Sequence, residues 1–236
     1  MSADLTRRAV AEALGTAFLL AIVIGSGIMG ERLAGGNVAI ALLANTLATG
    51  VGLVVLILVF GPISGAHLNP AVTLADAAQG GLSWAEVPVY VSAQVAGAFA
   101  GVAVAHVMFS EPLFFASTHV RTGTPQLVSE FVATFGLLAT IWGTLRSRPS
   151  IVPFAVGAYI TSAYWFTSST SFANPAVTLA RSASDTFAGI RPEDAPGFVV
   201  AQLLGAAAAT TLFAWLVPAS RKSAEGAVER RAQELP

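Results

Sequence analysis

Two side-chain amides occupy matching settings 105 residues apart, in Asn69-Pro70-Ala71-Val72-Thr73-Leu74-Ala75 and Asn174-Pro175-Ala176-Val177-Thr178-Leu179-Ala180. An amide carries two N–H donors and a carbonyl acceptor. The pair can therefore bind and release oxygen-bearing solutes with no covalent step. The rest of the chain offers little covalent chemistry. There is no cysteine, which removes disulfides, thiolate metal sites and thiol nucleophiles. His67, His106 and His119 are scattered, so neither metal nor cofactor is expected, and no nucleophile, base and ligand set converges as an enzyme would need. Glu12 and Glu130 lie inside apolar runs, where a carboxylate is costly enough to demand a role. One such residue per half favours an anchoring function, accepting backbone N–H groups, over a proton relay.

The elements that must position these groups follow from Asn before Pro. Asn caps free N–H groups and Pro is tolerated at the first helical position, so a helix starts at each motif. From Pro70 to Ala78 and from Pro175 to about Ser184 the chain has room for only half a bilayer, at ~1.5 Å per residue. Elsewhere, apolar spans are predicted at 9–30, 38–60, 87–109, 127–145, 151–168 and 197–217. With 55% hydrophobic and 11% charged residues and a mean hydropathy of +0.71, an integral membrane protein with six crossings is expected. The first span is too long, and too interrupted by Glu12, for a cleavable signal peptide. Trp84, Trp142, Trp165 and Trp215 fall near span ends and are assigned to interfacial belts. His106 and His119, without a partner in sequence, are assigned to interfaces or loops.

Arg7, Arg8, Arg146, Arg148, Arg221, Lys222, Arg230 and Arg231 lie on one side of this six-span arrangement, and Arg32, Arg121, Arg181 and Arg191 on the other. The positive-inside rule then puts both termini in the cytoplasm, with 1–8 and the polar tail 218–236 as cytoplasmic segments. A net charge of −1 argues against a nucleic-acid partner.

Glu12-Ala-Leu-Gly-Thr16 is matched by Glu130-Phe-Val-Ala-Thr134, and Ala93-Gln94-Val-Ala-Gly97 by Ala201-Gln202-Leu-Leu-Gly205. A channel domain over 9–217 thus divides into repeats 9–109 and 127–217. Three spans per repeat is an odd number, so the second repeat crosses in the opposite sense. The half-helices enter from opposite faces, and their lead-ins, Gly61–His67 and Thr167–Ser171, must line a watery path, because irregular backbone survives at membrane depth only there or inside protein. Gln94 and Gln202 are assigned to interhelical hydrogen bonds and Gly97-x-x-x-Gly101 to close helix packing.

These motifs resemble the aquaporin, or major intrinsic protein, family from Glu12 to about Pro218. The resemblance implies an all-α membrane fold, an inverted repeat with six transmembrane helices and two re-entrant half-helices, one pore per subunit, and a homotetramer in lipid. His67 resembles the family's loop histidine, which ties down the first lead-in. The family's outer constriction combines an aromatic on span two, a span-five residue, a lead-in residue and an Arg three residues after the second Asn. Here these positions read Thr49, Tyr164 (or Ser162, by counting back from Asn174), Ser171 and Val177.

Replacing Arg and an aromatic by Val177 and Thr49 implies a wider, less charged filter. The expected function is passive passage of small neutral solutes: glycerol-like polyols, urea, trihydroxylated metalloids such as arsenous acid, and water. The stretch Ala163–Arg181 is also similar to a bacterial branch of aquaglyceroporins found with arsenic-detoxification systems, which implies arsenic species, organoarsenicals included, and a bacterial inner-membrane location. Arg181, one turn beyond Val177, is assigned to an interfacial snorkelling position rather than the outer vestibule. The alternative, an ion-coupled carrier, also uses inverted repeats and broken helices, but needs a switchable charge at the midplane.

Overall fold

A computed structural model describes residues 4–216. The cationic tail residues counted above, from Arg221 to Arg231, lie outside the described residues, as do Val217 and the segment 218–236. The described elements are all helical: α1 (Leu5–Leu33), α2 (Val38–Ser64), the half-helix α3 (Pro70–Ala78), α4 (Val87–Phe109), α5 (Thr124–Leu145), α6 (Val152–Phe166), the half-helix α7 (Pro175–Arg181) and α8 (Ala195–Leu216). The order long, long, half, long occurs twice. Contacts repeat in the same way: α1 packs on α2 and α4, α5 on α6 and α8, and each half-helix touches α4, α8 and the other half-helix.

Five of these helices are long and apolar enough to cross a membrane by length and composition alone. The sixth crossing, α6, has 15 residues, or about 22 Å of helix. It is shorter than the predicted 151–168 span because Thr167 turns to extended backbone and begins the second lead-in. A 3-10 turn at Pro149–Ile151 extends it at the other end.

Large apolar residues remain exposed along the outer faces, as in Leu43, Leu47, Val51, Val55 and Leu58 of α2. Their spacing near three to four residues makes a continuous stripe on one helix face, suited to lipid or another subunit. Inward, two apolar clusters flank the centre. One joins Leu19, Val23, Leu56 and Leu68 to Val177. The other joins Val72, Leu137, Val156 and Ile160 to Tyr164.

Close backbone approach sets the helix crossings. A Cβ at Gly97 or Gly101 would fall on the carbonyl oxygens of Ala13 and Ala17, so α4 can lie against α1 only without side chains there. Gly50 of α2 and Gly157 of α6 meet in the same way. That second crossing brings Thr49 and Tyr164 together.

Candidate functional site

The two half-helices meet end to end. Asn69 caps α3 through Oδ1, which accepts from Ala71 N–H at 2.9 Å, while its Nδ2 donates across the centre to Ala173 O at 2.8 Å. Asn174 does the same in reverse: Oδ1 accepts from Ala176 and Val177 N–H and Nδ2 donates to Leu68 O at 2.7 Å. Capping fixes which end of each amide faces inward, and the cross-link uses one of two amide protons. The second proton of each amide has no protein acceptor among the described residues. Pro70 and Pro175 take the first helical position, and Ala71 and Ala176 are wholly buried. Two helix N-termini carry partial positive charge of ~0.5 each, so this point disfavours cations.

Each lead-in is held in a backbone conformation that L-residues rarely adopt. Ala66 and Leu68 have φ of 47° and 49°, and Ser171 and Ala173, 105 positions on, have 52° and 49°. Such residues cost of order 1–3 kcal/mol each and persist only when the surroundings over-determine them. The surroundings here are the two buried carboxylates. Glu12 accepts from Ser64 Oγ at 2.6 Å, His67 N–H at 3.0 Å, Leu68 N–H at 2.7 Å and Gln94 Nε2 at 2.8 Å. Glu130 accepts from Ser169 Oγ at 2.5 Å, Phe172 and Ala173 N–H at 2.9 Å each, and Gln202 Nε2 at 2.6 Å. Gln94 and Gln202 in turn donate to Thr73 and Thr178 of the half-helices.

Ser64, Ser169, Thr73 and Thr178 are working members of these anchors that residue type alone does not reveal. Their signal is the 105-residue repeat itself, which pairs Ser64 with Ser169 and Thr73 with Thr178. At the inner end, His67 places its ring against α3, with Nδ1 3.2 Å from Thr73 Oγ1 and Nε2 3.6 Å from Asp76. Only its main-chain N–H serves the lead-in anchor. Arg8 grips Glu86 and Tyr90, and Tyr90 donates to Ser64 O at 2.8 Å, tying the α1 start to the same lead-in.

A single cavity of about 380 Å³ connects these groups, lined by Thr49, Tyr164, Ser171 and Val177 beyond the two amides and by His67 and Asp76 before them. One wall is polar, built from residues 65–69 and 171–174. Leu53, Ile57, Leu137, Val156 and Ile160 add an aliphatic part to the lining. Tyr164 Oη donates to Thr49 Oγ1 at 3.3 Å, and Ser171 Oγ has no protein partner among the described residues. Ser162 does not line the cavity and bonds Tyr159 O instead.

Three sequence assignments need correction. Trp142 is not in a belt: it is 4% exposed, lines the cavity and donates Nε1–H to Thr210 Oγ1. His106 is fully buried, with its ring nitrogens at Leu113 O and Ser184 Oγ, each 2.8 Å away. Arg181 does not snorkel. It is 2% exposed and lines the cavity, because the loop after α7 folds back over it and Ala188 O accepts its Nε–H.

That loop is clamped by the 110–123 segment. Phe115 and Ser117 N–H donate to Ala183 and Ser182 carbonyls, and Arg191 N–H to His119 O. Asp185 accepts from Thr118 N–H at 2.7 Å and from its hydroxyl, and the backbone bond above all holds the Asp185 carboxyl below its ordinary pKa.

Among known proteins, residues 1–169 match the family model described as major intrinsic protein. The aquaglyceroporin AqpS of Rhizobium meliloti (strain 1021) is 58% identical over 218 residues, covering 92% of this chain and 93% of that protein. Aquaporin NIP1-3 of Oryza sativa subsp. japonica is 36% identical over 166 residues, 67% of this chain and 56% of its own. Among solved structures, the aquaglyceroporin from Plasmodium falciparum aligns with a TM-score of 0.65 at 21% identity, over 89% of this chain and 94% of that one, a likeness of fold. Long apolar helices and this kinship make the protein a multi-pass membrane protein. From matched model, near-full-length relative and shared fold together, the chain belongs to the major intrinsic protein family.

Proposed function

We propose that the protein is a passive pore for compact neutral solutes bearing several hydroxyl groups, glycerol and trihydroxylated metalloids such as arsenous acid among them, with water. The observation that carries this reading is the mixed polar and aliphatic lining of the cavity. A polyol has a carbon edge and a hydroxyl edge, and the aliphatic part suits the first while amides and lead-in carbonyls suit the second. The names of two relatives point the same way: the aquaglyceroporin of Rhizobium meliloti, and the glycerol uptake facilitator of Streptococcus pneumoniae, 35% identical over 129 residues.

In this reading Asn69 and Asn174 exchange solute oxygens at the midplane, and Thr49, Tyr164, Ser171 and Val177 form the outer filter. Glu12 and Glu130 act as anchors. An ion-coupled carrier would need one of these carboxylates to switch its charge and partners, yet each is engaged by four donors. We further propose a homotetramer in the bacterial inner membrane, both termini cytoplasmic, with the apolar α2 stripe on the outer face of each pore.

The test is a side-by-side panel of water, glycerol, urea, arsenite, antimonite and methylated arsenate in proteoliposomes, for wild type and Val177→Arg. Wild type passes the larger solutes, and the variant suppresses them more than water. Equal loss of all solutes removes Val177 from the filter, and a wild type that conducts water alone overturns the reading.

A further inference from the structure

The outer end of the cavity holds a guanidinium that position 177 does not supply. Arg181 ends α7 one helical turn beyond Val177, and Cα–Cβ bonds in a helix tilt toward its N-terminus, so a long side chain at 181 reaches back toward the level of 177. Its guanidinium carbon sits 3.3 Å from the centre of the Phe172 ring, and its Nε donates to Ala188 O. Among the described residues, neither Nη has a protein acceptor and no carboxylate lies within ion-pair distance. A buried cation without a counter-charge is expensive to keep.

A second guanidinium reinforces the field. Arg121 lies 5.0 Å from the same ring, and its Nε and Nη1 donate to Gly189 O at 2.8 Å and Ser169 O at 3.2 Å. Arg121 therefore braces the lead-in. Arg181, with two amino groups uncommitted, lines the same cavity as Thr49, Tyr164 and Val177.

We propose that Arg181 is a specificity-determining residue of the outer pore, which rejects cations and offers its Nη donors to the oxygens of entering solutes. The proposal rests on the reading of the chain as a passive pore, and it changes what the missing Arg at 177 means. The filter keeps a fixed positive charge, moved one turn outward and held against Phe172, so the pore is wide at 177 without being open to cations.

The experiment uses full-length protein in proteoliposomes, with methylammonium as the cation probe, glycerol as the neutral probe and osmotic water flow as the common denominator. In Arg181→Met the ratio of methylammonium to water permeability rises at least about tenfold, as expected when a unit charge a few ångströms from the path is removed. In Arg181→Lys, which keeps the charge but not the flat stacking group, that rise is mostly absent, while the glycerol-to-water ratio falls because two fixed donors are lost. Phe172→Leu, which removes the platform, gives an intermediate cation leak and shows the effect even if Arg181→Met proves poorly folded. An unchanged methylammonium-to-water ratio in Arg181→Met and Phe172→Leu overturns the proposal, as does a leak in Arg181→Lys equal to that of Met. A wild type that passes water but no glycerol would instead refute the solute reading, and leave the cation ratios to be judged on their own.

Discussion

Glu130→Gln removes one charge and reverses one hydrogen-bonding end of the α5 side chain that anchors the second lead-in. The carboxylate accepts four bonds, two per oxygen: Ser169 Oγ and Phe172 N–H on Oε1, Ala173 N–H and Gln202 Nε2 on Oε2. A glutamine keeps one acceptor and turns the other into an NH2 donor. Its least costly orientation points that NH2 at Ser169, whose hydroxyl can rotate to accept. Phe172 N–H is then orphaned in a buried site, which costs about 1–3 kcal/mol. The two surviving bonds change from charge-assisted to neutral, a further loss of roughly 1 kcal/mol each. About 3–5 kcal/mol of anchoring is lost at a segment where Thr170, Ser171 and Ala173 all stand at positive φ. The strained carbonyls relax and the polar wall of the cavity loses its register. Purified Glu130→Gln should therefore show a lowered apparent melting temperature in detergent and at least tenfold less glycerol flux per molecule in stopped-flow light scattering. Glu12→Gln, with the same four-donor pattern, should behave alike. Wild-type melting and flux in both variants would refute the anchoring role. So would normal melting with a shifted pH dependence of flux, which belongs to a carboxylate that carries protons.

Other outcomes follow from single contacts. Gly101→Leu puts a side chain into the Ala17 carbonyl and Leu20, and should destabilise the α1–α4 crossing by about 3 kcal/mol, seen as a lower apparent melting temperature or failure to assemble. Asp185 offers a pH test. Its pKa is depressed in the folded state, so the clamp to Thr118 contributes fully above the ordinary carboxylate value near 3.9 and is lost as pH falls through the lower folded value. Between pH 7 and 5 wild-type stability should not change on this account. Below about pH 4 it should fall toward that of Asp185→Asn, whose own profile is flatter, and parallel profiles would contradict the assignment.

Much of the architecture was legible because its signals are local and repeated. Asn-Pro marks a helix start wherever it occurs, two copies in oppositely crossing halves require re-entrant segments, and Glu12 and Glu130 announce themselves by charge in apolar runs. Partners were less legible than positions. Ser64 and Ser169 look like ordinary loop residues until the 105-residue offset pairs them. Arg181 reads as interfacial because it ends a short apolar helix, whereas its burial depends on Phe172 and on the 182–194 loop pinned by Thr118, Ser117 and His119. His106 misleads in the same way, since Ser184, its partner, is 78 residues away. Trp142 falls near a span end, yet Thr210 of α8 takes its N–H and turns it inward. In each case the deciding contact comes from the outer loops or the opposite helix, which hydropathy does not pair.

The proposed function is passive conduction of a neutral polyol through a fixed pore. It is tested most directly by stopped-flow light scattering of glycerol entry into proteoliposomes across a series of gradients, with and without a protonophore. Glycerol entry should run well above that of protein-free vesicles, linear in the gradient and unaffected by the protonophore. Saturating or proton-dependent glycerol entry, or water flow with no glycerol entry, would contradict it.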